Sequence, residues 1–207
     1  AVLHGAAIYG ANASGKSNFA KAFATFKWLI INSIKELQAG DALDVESFML
    51  NDTTAKEPSM FEIVFCNVDY IFRYGFEVDG VKVHKEWLYR RNNKKRAKEV
   101  ELWYREGDIY NVHLSCAIAK SVVANKMVRD NALLVSVAAQ FNDETAVSIV
   151  GWLNDTSIIT SHDDEVMWKR AAITLDDQKM RKRIVDFSRY ADLGIADIYK
   201  GNDEVVS

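Results

Sequence analysis

Gly10-Ala11-Asn12-Ala13-Ser14-Gly15-Lys16-Ser17 fits the pattern G-x-x-x-x-G-K-[ST] at every constrained position. Its flanks fit as well. Val2-Leu3-His4-Gly5-Ala6-Ala7-Ile8-Tyr9 is apolar and reads as a strand, and a helical pattern follows the loop. Such a loop presents backbone N–H groups at a helix N-terminus, where unpaired amides and the helix dipole favour negative charge. Gly10 and Gly15 permit close backbone approach and positive φ angles that a Cβ would obstruct. Lys16 is placed for the β- and γ-phosphates of a nucleotide and is the expected catalytic residue. The Ser17 hydroxyl is placed for Mg²⁺. Asn12, Ala13 and Ser14 contribute mainly backbone amides, and Ala11 and Asn18 complete the expected nucleotide-binding set. The expected ligands are therefore ATP and Mg²⁺.

The helix after the loop has an apolar stripe. Phe19, Ala22, Phe23, Phe26, Leu29 and Ile30 recur at i, i+3, i+4 and i+7, while Lys21 and Lys27 lie off it. These aromatics read as packing against a sheet. With 207 residues, 49% of them apolar, the chain can bury a core and fits one or two domains. A net charge of −3 gives no global sign of nucleic acid or membrane as a partner. No apolar run reaches membrane-spanning length, and no secretory signal is present. Cys66 and Cys116 are too few and too separated for a disulfide framework or a zinc site, so a reduced, cytoplasmic setting is expected.

Residues 1–40 read as a β–loop–α unit, closed by the breaker Ala39-Gly40-Asp41, and Asn51 to Pro58 reads as a loop. Residues 45–113 hold an antiparallel block. Phe61, Ile63 and Phe65 alternate with their neighbours, as do Tyr70, Phe72, Tyr74 and Phe76. Asp79-Gly80 signals a hairpin, Arg91 to Arg96 a polar turn, and Glu106-Gly107-Asp108 another turn. Residues 114–207 read as mainly helical, with helices over Cys116–Val128, Glu144–Leu153 and Leu175–Tyr190. Met180, Ile184 and Phe187 form the expected buried stripe of the last. Leu133 to Ala139 is a short apolar run followed by Gln140.

The wording G-x-N-x-S-G-K-S-N, with Asn12 and Asn18, resembles the ABC-type heads of SMC, RecF and OLD-like ATPases. More closely, the chain is similar to bacterial ATPases grouped with abortive-infection and phage-defence systems. The stretches that carry this are Ile8 to Asn18, Phe61-Glu62-Ile63-Val64-Phe65, Tyr74-Gly75-Phe76-Glu77 and Ala191-Asp192-Leu193-Gly194-Ile195. The resemblance implies an α/β P-loop NTPase of ABC-head type, with an antiparallel β-subdomain and a helical C-terminal part. It further implies ATP hydrolysis, head-to-head homodimers, and control of a nuclease, toxin or other effector, with DNA or RNA as a further partner and no membrane. In such heads a glutamine at a strand end reaches Mg²⁺, which makes Gln140 a candidate metal contact.

Three elements of an ABC head are not legible. No hydrophobic strand ends in an acidic pair, and neither an L-S-G-G-type signature nor a switch histidine stands out. Val64 to Asp69 falls in the hairpin block, and Ile158 to Glu165 separates its carboxylates from the apolar run. The expectation is an incomplete head, its N-terminal portion, that binds ATP with little turnover alone. Arg90, Arg91, Lys94, Lys95, Arg96 and Lys98 form a basic hairpin tip, which reads first as a solvated turn offset by Glu99 and Glu101. His162-Asp163-Asp164-Glu165 reads as a solvated loop rather than a metal cluster. Two alternatives stay open. One is a structural or DNA-binding module that uses ATP as an assembly ligand; the other is a P-loop kinase, which the antiparallel block disfavours.

Overall fold

Period-two alternation over residues 59 to 112 builds a five-stranded antiparallel sheet in the computed structural model. Its strands are β1 (Ser59–Cys66), β2 (Tyr70–Val78), β3 (Val83–Asn92), β4 (Val100–Glu106) and β5 (Ile109–Val112), in the order β1-β2-β3-β4-β5. The structure describes residues 7–12, 14–45, 57–94, 96–158, 164–191 and 194–199. Two compact units divide between residues 157 and 158.

In the first unit the pleat sorts side chains onto two faces. Phe65, Phe72, Tyr74, Phe76, Leu88 and Trp103 are buried on one face. Helix α1 (Lys16–Ile31) lies against it through Phe26, whose ring stacks on Phe76 at 5.4 Å and meets Tyr74 at 6.1 Å and Phe61 at 6.3 Å. The opposite face carries a ladder of paired polar groups. Arg73 meets Glu62 at 3.3 Å and Glu99 at 2.7 Å, and Trp87 Nε1 donates to Glu62 at 2.8 Å. Gly75 sits opposite Trp87, whose ring lies 2.6 Å from where a Cβ on Gly75 would be. The ring covers the gap in the pleat, so no larger residue fits there.

The Asp79-Gly80 hairpin is present, but the aspartate carries the turn. Asp79 Oδ1 accepts the N–H groups of Val81 at 2.7 Å and Lys82 at 2.8 Å, while Oδ2 meets His84 Nε2 at 2.6 Å. Burial works against its ionisation, but the His84 contact and the two amides hold the carboxyl below its ordinary range.

The first unit also holds α2 (Ser33–Glu36), α3 (Ala117–Ala124), α4 (Leu134–Gln140) and α5 (Glu144–Asp155). Helix α3 is shorter than the expected span to Val128, and Lys126, at φ 53°, leaves the helical path. The run before Gln140, a strand by the resemblance, is α4, which corrects that reading. A continuous apolar run suits a buried helix as well as a buried strand, and here Leu134, Val135, Ser136, Val137 and Ala138 are all buried. The choice is fixed at the N-terminus of α4, where the Glu86 carboxylate accepts Leu134 N–H at 2.6 Å and Val135 N–H at 3.0 Å. Ser136 Oγ then donates to the Ile30 carbonyl at 2.7 Å, joining α4 to the end of α1. Asp143 caps α5 through the amides of Thr145 and Ala146, each at 3.1 Å.

The second unit contains α6 (Asp164–Asp176) and α7 (Gln178–Tyr190). The helix expected from Leu175 to Tyr190 is α7, which starts later, at Gln178, because the Asp177 side chain accepts from Lys179 and Met180 N–H and caps it; α6 before it was not expected. The expected stripe is also corrected. Val185 and Ser188 are buried, while Met180 and Phe187 are exposed. Arg181 and Arg189 donate to the carbonyls of Ile198 and Ala196, so the covered face of α7 looks toward that segment. His162 and Asp163 lie outside the described residues.

Candidate functional site

The N-terminus of α1 is left open by its own sequence. Gly15 stands at the N-cap with φ 88°, makes no side-chain cap, and is followed by a first turn without an acidic residue. Most helices fill this position with Ser, Thr, Asp or Asn, which consume the orphan amides. Here those amides face a cleft of about 400 Å³ lined by Asn12, Ser14, Gly15, Lys16, Ser17 and Asn18. A single-signed arrangement of N–H groups, a lysine and four small hydroxyl or amide side chains can accept an anion without an acid competing for it.

The loop closes on itself through Ser14 N–H to the Ala11 carbonyl at 3.2 Å. At Gly10 a Cβ would stand 2.6 Å from Ser14 Oγ, so a larger residue displaces that hydroxyl from the loop. Gly15 is required by conformation, because its φ lies in the left-handed region while nothing lies within 4 Å of an added Cβ. Lys16 Nζ turns back onto the loop, donating to the Gly10 carbonyl at 2.7 Å, the Ala11 carbonyl at 2.6 Å and Ser14 Oγ at 3.5 Å. Ala11 thus faces the lysine with its carbonyl. Ala13 lies outside the described residues.

Around the loop the surface is open. Ile8, Tyr9 and Phe19 are exposed, at 56%, 91% and 66%, so the stripe of α1 is covered only from Phe23 onward. The strand expected over Val2 to Tyr9 is irregular backbone at Ala7 to Tyr9, and residues 1–6 lie outside the described residues. Gln140 is the last residue of α4, is exposed, and is not in the cleft lining. With the strand replaced by a helix, the reason for placing Gln140 at Mg²⁺ is gone. No group of three or more His, Cys, Asp or Glu able to hold a metal occurs among the described residues. Cys66 and Cys116 are free thiols, and no described helix is long and apolar enough to cross a membrane.

Sequence reasoning missed a buried polar cluster between the sheet and the start of α4. Glu86 of β3 and Arg105 of β4 are cross-strand neighbours on the inner face, 0% and 1% exposed. Glu86 accepts from Tyr74 OH at 3.0 Å in addition to the α4 amides, and Arg105 donates to the Ala132 carbonyl at 2.7 Å and the Gly107 carbonyl at 3.1 Å. Burial raises the Glu86 carboxyl above its ordinary range, outweighing Arg105 and the three donors. The signal was available: Glu86 shares inward parity with Leu88, two residues on.

Residues 6–102 match the protein-family model described as "AAA domain, putative AbiEii toxin, Type IV TA system". The match spans the loop, α1 and the sheet as far as β4, in line with the N-terminal portion of an ATPase of the abortive-infection kind. No curated protein and no solved structure matches the chain significantly.

Proposed function

We propose that this chain is the nucleotide-binding part of an ABC-type ATPase head that binds ATP with Mg²⁺ at Gly10 to Ser17. The head works as a nucleotide-gated homodimer that controls a nuclease, toxin or other effector in phage defence or DNA transactions. The observation that carries this reading is the uncapped, acid-free N-terminus of α1, entered through Gly15 in the left-handed region. The AAA-domain match over the same residues supports the ATPase class.

Each residue has a task that follows from its chemistry. On binding, the Lys16 ammonium exchanges the Gly10 and Ala11 carbonyls for phosphate oxygens, which releases the loop to close on the nucleotide. The amides at the start of α1 neutralise charge on the phosphates. The Ser17 hydroxyl holds Mg²⁺, and Asn12, Ser14 and Asn18 edge the cleft. Bound ATP with Mg²⁺ supplies the phosphoanhydride bond and the charge neutralisation of its leaving group. A carboxylate that orients water comes from outside the described residues, and a second head completes the site with its signature.

A second reading is favoured by one feature. The lining of the cleft holds no carboxylate among the described residues, as suits a module that ATP assembles without being consumed. Sedimentation velocity with and without ATP, paired with a steady-state phosphate-release assay, separates the readings. An ATP-dependent dimer with turnover, in this chain or in the full-length protein, supports the first, and a dimer with turnover in neither supports the second. No ATP-dependent change in mass contradicts both.

A further inference from the structure

We propose that the turn joining β3 and β4 is a contact surface for the phosphate backbone of duplex nucleic acid, an inference independent of the nucleotide reading. Six of the nine residues from Arg90 to Lys98 are cationic, in a chain whose net charge is −3. Composition alone does not produce such a concentration.

The structure changes how this run balances. Lys94, Arg96 and Lys98 are exposed, and none of them forms an ion pair among the described residues. The carboxylates that follow in sequence are directed elsewhere. Glu99 is held by Arg73 at 2.7 and 3.3 Å, and Glu101 accepts from Tyr89 OH at 2.9 Å and Asn111 Nδ2 at 2.7 Å. Asp69, in the neighbouring β1–β2 turn, receives Asn93 N–H on its backbone carbonyl at 2.8 Å. Beyond that bond Ala97 N–H meets the Lys94 carbonyl at 3.3 Å, and Lys94, Arg96 and Lys98 are exposed to solvent.

Backbone conformation gives a second, separate observation. Arg96 has φ 64°, the left-handed region, at the third position of the turn Lys94 to Ala97. Glycine or asparagine takes that position with least strain. An arginine there keeps a long, exposed cation on the turn against local preference, and such strain clusters at functional sites.

The chemistry selects a duplex backbone. The aromatic rings near the tip are already engaged: Tyr70 lies under Arg90 at 4.6 Å, Tyr89 under Arg73 at 4.1 Å, and Trp87 donates to Glu62. With the faces of Tyr70 and Tyr89 covered by arginines, the exposed cations favour contacts to phosphates, which are indifferent to sequence. Ala97 is the only apolar residue between Arg90 and Lys98, so an acidic bilayer finds no anchor there.

The test uses fluorescence anisotropy with the 207-residue chain and a 30-base-pair mixed-sequence DNA duplex, the matching RNA duplex, the single strand, and phosphatidylserine vesicles, across 50 to 200 mM KCl. The comparison protein carries Lys94→Gln, Arg96→Gln and Lys98→Gln. Wild type is expected to bind a duplex with steep salt dependence. The triple variant is expected to bind about tenfold more weakly or worse, with a log–log salt slope shallower by roughly 2–3. Arg96→Gly removes one cation and relieves the left-handed strain, so it is expected to keep or raise the melting temperature while lowering affinity. Preference between DNA and RNA identifies the source of the phosphates. Equal affinity and slope in wild type and triple variant overturn the proposal. So do absent duplex binding, tighter binding to the single strand, and binding to vesicles alone.

Discussion

Gly15, at φ 88°, begins α1 in a conformation that costs an L-residue roughly 1–2 kcal/mol. Gly15→Ala is expected to lower stability by about that amount, read by urea unfolding, and to weaken nucleotide binding beyond it, because the amides lose their aim. Gly10 is different: alanine there pushes Ser14 Oγ, a movable side-chain atom, so Gly10→Ala is expected to weaken binding with little loss of stability. These two residues were legible in sequence because the motif states their positions. The carbonyls that hold Lys16 were not, since no residue type encodes a backbone acceptor.

At the scale of elements, Glu86 joins sheet to helix. Glu86→Ala leaves two amides of α4 and the Tyr74 hydroxyl without their acceptor in a buried site, and is expected to cost about 3–5 kcal/mol in denaturant unfolding. The pH dependence has a definite sign. The Glu86 carboxyl titrates higher in the folded chain than its ordinary value, so the folded state binds the proton more readily than the unfolded one. Its contribution to stability is present at acid pH and declines as pH rises from the ordinary glutamate range through the folded value. Glu86→Gln is expected to remove that slope from a stability-against-pH series; an unchanged slope contradicts the assignment. Gly75→Val is a second case at this scale. Its side chain would meet the Phe61 carbonyl and the Trp87 ring at 2.6 Å, and a loss of about 1–3 kcal/mol is expected.

The same scale separates what sequence carries from what it does not. Strands β1 to β5 were legible because alternation and turn residues are local signals. α4 was not, because an apolar run is silent about period and its helix is settled by a carboxylate 48 residues earlier. The start of α7 turned on Asp177, whose side chain serves equally on a helix surface and at its N-cap.

For the whole molecule, the candidate site combines one decisive local motif with partners that the motif does not name. The loop, α1 and strands β1 to β3 are covered by the AAA-domain match, which ends within β4, while β5 and the helical segments from Ala117 onward lie outside it. A ligand that binds only the folded chain stabilises it, by about 2.7 kcal/mol at a hundredfold excess over Kd, so ATP with Mg²⁺ is expected to raise the melting temperature. The most direct test is a calorimetric titration of ATP with Mg²⁺ into wild type and Lys16→Ala. Lys16 is exposed, and its removal is expected to leave stability within about 0.5 kcal/mol, so the variant remains folded. Saturable binding by wild type and none by Lys16→Ala is the expected result. Undiminished ATP affinity in the variant would contradict the account.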